Sequence, residues 1–296
     1  MPAYYTAADI AQLCESGNVK YGVIGNPIAH SKSPQMQQAA LDTAGNPARY
    51  VRLLAGTDEG EFEQLLEQLA HLGFEGVNVT VPFKKKARAI AVTCCELTQL
   101  CGAANTLKYS ADGWHAINTD GPGFEQAIKE HSGRTLSELR VVILGACGGA
   151  GSALAAQCVL SHCPALTLVN RPRPELEQMA DKLRPLSRGE LSTCHFGTPE
   201  LQQAIAQADL VVNATSLGLK EGDPLPLPPE WLQCGQIVYD IVTHDTPLRR
   251  IAAERGCNTA NGLSMLLWQG VLAYAFWHGN STPLPVEEMR SALLRA

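Results

Sequence analysis

Residues 140–157 read RVVILGACGGAGSALAAQ. The apolar run 141–144 has the character of a strand, Gly145, Gly148, Gly149 and Gly151 form a turn, and a helix of small residues follows. Strand, glycine turn and helix together make the β–turn–α arrangement that lets a pyrophosphate approach a helix N-terminus, where free N–H groups and the helix dipole favour anions. The spacing is not the strict G-x-G-x-x-G pattern but a related loop carrying one extra residue. A second strand is expected over 165–169, at the distance where an adenosine ribose is read, and it ends at Asn170-Arg171. An acid at that place favours NAD and an arginine favours the 2′-phosphate of NADP. No acid stands at the strand end, and Arg171 follows directly.

C-terminal to this core, helices are expected over 174–183, 199–206 and 247–254, with strands over 210–213 and 237–240. Residues 213–216 (NATS) end a strand on the cofactor side. The proline-rich 224–229 reads as a surface connection with no binding role. An apolar helix over 263–279 and a short one after Pro285 are expected to pack back on the N-terminal unit, which makes that unit discontinuous.

N-terminal to the glycine loop, strands over 21–25, 48–54 and 74–81 alternate with helices over 35–43 and 58–72, the latter closed by Gly73 at C′. This is the grammar of a mostly parallel sheet. The third strand opens the stretch 77–86, VNVTVPFKKK. Val77, Val79 and Val81 share one side and Asn78 and Thr80 the other. Pro82 stops pairing, and a helix follows over 84–91. Ligands of open α/β sheets bind at such strand ends, so Lys84 is the candidate for chemistry and Lys85 and Lys86 are solvated. A second such end, INTDGPG over 117–123, places Asp120 between a strand and a helix, so a lysine and a carboxylate are expected to meet. In HSKSP (30–34), Ser33 before Pro34 has the N-cap signature, and the same helix start with two hydroxyls suits a carboxylate ligand. Both readings stay open for Ser33.

Apolar residues make up 45% of the 296 and charged ones 18%, with a net charge of -6. That describes a globular chain with ample core and argues against nucleic acid as a partner. No signal-peptide pattern opens the sequence, and the most apolar window, 265–277, is too short to span a bilayer, so a cytoplasmic location without membrane attachment is expected. The ten cysteines have no ligand spacing. They are expected to be reduced thiols, mostly buried, with no metal site.

Taken in order, the motifs Ser31-Lys32-Ser33-Pro34, Asn78-Val79-Thr80-Val81-Pro82-Phe83-Lys84, Ala104-Asn105-Thr106, Asn118-Thr119-Asp120-Gly121, the 145–151 loop, Asn170-Arg171, Asn213-Ala214-Thr215-Ser216 and Gln269 in MLLWQG resemble the shikimate dehydrogenase family over nearly the whole chain. The resemblance implies an α/β fold of two domains with a cleft between them. A substrate-binding open, mostly parallel α/β sandwich is placed at 1–121 with 262–296, and a Rossmann-type domain at 122–261. It implies Ser31 and Ser33 at a substrate carboxylate, Asn78, Thr80, Asn105 and Gln269 at hydroxyls, and Lys84 with Asp120 as the catalytic pair. It further implies NADP, with NAD as the alternative, held by Gly145, Ala146, Gly148, Gly149, Ala150, Asn170, Arg171, Thr215, Ser216, Gly262 and Met265. The implied reaction interconverts 3-dehydroshikimate and shikimate in aromatic amino-acid biosynthesis by a monomer or homodimer.

Three departures stand out. Cys147 is the extra residue of the loop. Pro172 and Glu175 stand where the family has a threonine and a second basic residue, with Arg173 nearby. Thr243 replaces a substrate-contacting tyrosine. A quinate/shikimate or aminoshikimate dehydrogenase, NAD-using or not, is therefore the alternative, and a nucleotide-binding sensor without turnover a more distant one.

Overall fold

Ahead of the first strand, where the sequence offers little periodicity, Thr6 and Asp9 close a reciprocal cap (Thr6 N and Oγ1 to Asp9 Oδ2, 2.8 and 2.6 Å) and start helix α1 (Ala7–Ser16). The carboxylate satisfies donors that a helix start leaves open. In this computed structural model, which describes residues 3–279 and 283–296, the chain then alternates β1 (Val19–Gly25), α2 (Ser33–Thr43), β2 (Arg49–Leu54), α3 (Glu61–His71), β3 (Gly76–Val79) and α4 (Lys84–Ile90). After β4 (Thr93–Cys94) and α5 (Glu96–Cys101), the hairpin β5 (Thr106–Ser110) and β6 (Gly113–Ile117) turns at Ala111. The six strands pair in the order β2-β1-β3-β5-β6-β4. β1 runs parallel to β2 and β3, and the hairpin makes β5 antiparallel to both β3 and β6.

The second sheet comes from α6 (Asp120–Ser132), β7 (Arg140–Leu144), α7 (Gly151–Leu160), β8 (Ala165–Asn170), α8 (Pro174–Leu183), β9 (Glu190–His195), α9 (Pro199–Gln207), β10 (Leu210–Asn213), β11 (Ile237–Asp240), α10 (Pro247–Glu254) and β12 (Asn258–Asn261). All its pairs are parallel, in the order β12-β11-β10-β7-β8-β9. That is the doubly wound order, reversing direction between β7 and β10. The last helices are α11 (Leu263–His278) and α12 (Val286–Arg295).

Contacts divide the chain into one unit containing the residues up to Thr119 and from Leu267 onward, and another of Asp120–Leu266. The sequence placed these changes at 121 and 261. Within the first unit α11 packs by close approach. A Cβ on Gly270 would stand 2.2 Å from Met36 Cε of α2, and one on Gly76 would stand 2.3 Å from the Trp277 indole nitrogen. That nitrogen donates to Leu107 O of β5 at 2.9 Å, which satisfies a polar atom that burial would otherwise penalise.

Several expectations are corrected. β3 ends at Val79, and Val81, placed on the sheet's apolar side with Val77 and Val79, is 64% exposed. Phe83 N donates to Thr80 O at 3.0 Å, so the chain has already turned. Ser33 is the first residue of α2 and Lys32 precedes it as N-cap, with no side-chain cap. Asp120 is not a strand end but the first residue of α6, since β6 stops at Ile117. Of the ten thiols, all free, three are buried, six half-buried and Cys234 is exposed, so they are not mostly core residues. β9 and β12, both unanticipated, are edge strands whose residues are half-buried or exposed. They carry too little apolar alternation to read as strands.

Candidate active site

In the first unit the polar residues of the motifs form one hydrogen-bonded chain. Tyr50 of β2 donates its hydroxyl to Asn78 Oδ1 at 2.8 Å, and the Ser33 hydroxyl hydrogen-bonds the same phenol. Asn78 Nδ2 donates to Thr106 Oγ1 at 3.0 Å, and Thr106 Oγ1 donates to Asn105 Oδ1 at 3.1 Å. Asn105 Nδ2 donates to Thr119 Oγ1 at 3.0 Å, while Thr119 N donates back to Asn105 Oδ1 at 2.8 Å. Every member of this relay lies at or beside a strand or helix end, so one row of amides and hydroxyls crosses the sheet from α2 to the end of β6. Burial holds the Tyr50 phenol far above its ordinary pKa, with the Ser33 hydrogen bond and the Arg52 charge pulling the other way.

Ser31 and Ser33 are drawn together by the helix start, where Ser33 N donates to Ser31 Oγ at 3.3 Å. Arg52 of β2 fixes the same loop through Nε and Nη2 to Ser31 O, at 2.9 and 2.6 Å. A cation and a helix N-terminus beside two hydroxyls suit an anion. Thr80 packs against Gly25, which has no side chain. A Cβ there would lie 2.5 Å from Thr80 Cγ2. Lys84 opens α4 and is half-buried, and its carbonyl accepts from Ala104 N at 2.9 Å, which ties α4 to the loop carrying Asn105. Gln269 is half-buried on α11, beside Gly270, whose carbonyl accepts from Gln37 Nε2 at 2.9 Å.

In the second unit a cavity of about 550 Å3 opens at the carboxyl ends of β7, β8 and β10. Gly145, Gly148, Asn170, Arg171, Thr215 and Ser216, all expected at a cofactor, are among the residues that line it. The glycines are sterically required. Gly145 has φ +85°, and a Cβ on Gly151 would stand 2.3 Å from Gly145 O. Thr215 is aimed by Asn213, whose Oδ1 accepts from Thr215 N and Oγ1 at 3.1 and 2.6 Å. Asn213 is in turn held by the buried Asp240 carboxylate at 3.1 Å. The buried Asn170 Nδ2 has no protein partner, and it sits on the cavity wall between the glycine turn and the two arginines. Glycines permitting backbone approach, an orphaned donor and two cations make a donor set that fits a phosphorylated dinucleotide.

Other expected residues lie off the wall. Ala146 is fully buried, with its N–H given to Val169 O. Gly149 is exposed, and Ala150 is the N-cap of α7. Gly262 presses on Ile241, where a Cβ would meet its carbonyl oxygen at 2.0 Å, and Met265 is buried with its N–H on the Tyr239 hydroxyl. Asp120, at the start of α6, is 2% exposed. Thr243 gives its carbonyl to Asn261 Nδ2 at 3.3 Å.

Sequence reasoning missed Tyr50, Thr106 and Thr119 in the relay, and Phe196 and Leu217 in the cavity wall. It also misjudged the proline-rich connection, since Leu225 and Pro226 line the cavity and Leu227 is core. Thr106 and Thr119 stand inside the quoted motifs without an assigned role, and nothing local marks the others, each brought in by a neighbouring strand or a returning loop. Cys147 lines the cavity too. Burial raises its thiol pKa, and the Arg173 charge opposes this.

Residues 23–107 match the sequence model of the shikimate dehydrogenase substrate binding domain, and residues 262–294 that of the shikimate 5'-dehydrogenase C-terminal domain. A shikimate dehydrogenase (NADP(+)) of Moorella thermoacetica is 35% identical over 267 residues, 89% of each chain. That of Paracoccus denitrificans is 36% identical over 92% of this chain and 95% of its own. Among solved structures, shikimate 5-dehydrogenase from Thermus thermophilus in complex with NADP(H) and shikimate superimposes with a TM-score of 0.81 at 30% identity, covering 94% of this chain and 99% of that one. Quinate dehydrogenase from Corynebacterium glutamicum in complex with NAD gives 0.83 at 27% identity, covering 95% and 100%.

Proposed function

This chain belongs to the shikimate dehydrogenase family, and on that footing we propose that it is an NADP-dependent shikimate dehydrogenase interconverting 3-dehydroshikimate and shikimate. The observation that carries the reading is the row of amides and hydroxyls from Ser33 through Asn78 and Asn105 to Thr119. Such a row matches a ring bearing several hydroxyls, and the serine pair beside Arg52 matches its carboxylate. Gly145, Arg171 and Thr215 would hold the dinucleotide, whose reduced form would give a hydride to the ring carbonyl carbon and whose oxidised form would take it back from shikimate.

The chain's own residues then handle a proton and a developing charge. As the ring carbonyl becomes an alkoxide, the Lys84 ammonium donates a hydrogen bond and then a proton to that oxygen. In the oxidative direction neutral Lys84 accepts it. Asp120 is assigned as its carboxylate partner, which orients the ammonium before transfer. Asn78, Thr80, Asn105 and Gln269 hold the ring hydroxyls and fix its orientation. Ser31 and Ser33 anchor the far end, and holding both ends converts binding into orientation.

Lys84→Ala is expected to lower kcat for shikimate oxidation by about two orders of magnitude or more, with the KM for NADP+ little changed, as followed by NADPH absorbance. Near-normal turnover in that variant rules out the role of Lys84. A quinate- or aminoshikimate-preferring enzyme is the second reading. Thr243 and Glu175 favour it, and kcat/KM for the three hydroxy acids with both cofactors decides between them.

A further inference from the structure

We propose that Tyr50 is a positioning residue, coupling the carboxylate-holding end of the substrate site to its hydroxyl-holding end. The inference rests on the shikimate dehydrogenase reading and deepens it. Tyr50 belongs to none of the motifs that carry the family resemblance. Its ring is 5% exposed and packs near the Trp277 ring, at 6.2 Å between centroids, so it is held on a firm support. Its hydroxyl joins side chains of two different elements: the Ser33 hydroxyl at the start of α2, and Asn78 Oδ1 on β3 at 2.8 Å.

A phenol has one proton to donate and lone pairs to accept with. Donating to Asn78 Oδ1 commits the Asn78 amide to one rotamer, with its Nδ2 turned toward Thr106. The phenol oxygen holds the Ser33 hydroxyl in place until a bound carboxylate, which can only accept, takes its proton. Tyr50 thus selects the Asn78 flip state and the orientation of the Ser33 hydroxyl together. It also sets the separation between a bound carboxylate and the hydroxyl recognised by Asn78. The backbone N–H of Tyr50 donates to Gln38 Oε1 at 3.0 Å, which locks β2 to α2 at the same place. A cyclic hydroxy acid whose carboxylate and hydroxyl have this spacing is favoured, and one with a different spacing finds Asn78 unable to turn toward it.

Tyr50→Phe in the intact enzyme keeps the ring and removes only the coupling oxygen. The expected result is a rise in KM for shikimate of about five- to tenfold, the scale of one lost hydrogen bond between neutral groups. The fall in kcat should be at most about threefold, and the KM for NADP+ should stay constant. Because Tyr50 acts through Asn78, adding Tyr50→Phe to Asn78→Ala is expected to raise KM less than about twofold further. The proposal is overturned by a Tyr50→Phe KM within about twofold of wild type, by full additivity with Asn78→Ala, or by a parallel loss of kcat and of both KM values together with a lowered thermal midpoint, which is the signature of a merely structural residue. Wild-type enzyme that oxidises none of shikimate, quinate or aminoshikimate overturns the family-level reading as well. Normal wild-type turnover with an unaffected Tyr50→Phe variant overturns the Tyr50 role alone.

Discussion

Arg171 and Arg173 are exposed at the rim of the dinucleotide cavity, beyond the end of β8. Their guanidinium groups are suited to a phosphate dianion, and a charged hydrogen bond of this kind contributes about 1.5–3 kcal/mol. Arg171→Ala is therefore expected to raise the KM for NADP+ by about ten- to a hundredfold and to leave that for NAD+ unchanged. Steady-state rates with each cofactor test this, and equal effects on both cofactors contradict a contact to the 2′-phosphate. Arg171 was legible in the sequence because one short motif, strand end then Asn-Arg, contains it. Lys84 was legible for the same reason. Tyr50 was not: it sits in β2, and its partners Ser33 and Asn78 lie 17 and 28 residues away. No local pattern distinguishes a tyrosine that bridges two site residues from one that merely fills the core.

The glycine turn between β7 and α7 is closed on itself around the Gly145 carbonyl. Gly151 opens α7 against the carbonyl of Gly145, and Gly148 N donates to that same carbonyl at 3.0 Å. A methyl group at Gly151 has nowhere to go, because the atom it meets is backbone. Gly151→Ala is expected to destabilise the second unit by about 1–3 kcal/mol and to weaken NADPH binding. Chemical denaturation and fluorescence titration measure the two effects, and an unchanged midpoint with normal binding refutes the steric argument. The strands and helices around this turn were readable from apolar runs and from prolines at helix starts, as at Pro174, Pro199 and Pro247. β9 and β12 were not, since an edge strand gains its place from pairing along one side only. The stretch from Leu225 to Leu227 failed for a related reason. Its prolines mark an extended connection, but only the returning chain decides that it closes a cavity wall.

In the first unit, the end of α11 brings His278 against Tyr21 and Tyr274, at 5.2 and 4.3 Å between ring centroids. Burial lowers its pKa from 6.5, the Lys108 charge acts the same way, and Glu75 opposes them. Its buried Nε2 has no hydrogen-bond partner. A base with a depressed folded-state pKa binds protons better when unfolded, so its contribution is intact above about pH 6.5 and is lost as pH falls below it. Between about pH 7 and about pH 5.5 the thermal midpoint of wild type is expected to drop, and that of His278→Gln to drop less. Equal drops place the pH sensitivity elsewhere.

For the molecule as a whole, the sequence by itself determined most of the elements and named candidates for the chemistry they carry. Apolar runs named most strands, glycines and prolines named the turns, and short motifs named Lys84, Asn78, Arg171 and the serine pair. These are properties of neighbouring residues, where periodicity and φ preferences act. What only the tertiary structure decided is which of those residues share hydrogen bonds. Ser33, Tyr50, Asn78, Thr106, Asn105 and Thr119 form one relay because β2, β1, β3, β5 and β6 lie side by side in one sheet. Strand order and close approaches such as Gly25 to Thr80 follow from how side chains fill a common core, and that is a constraint no single stretch contains.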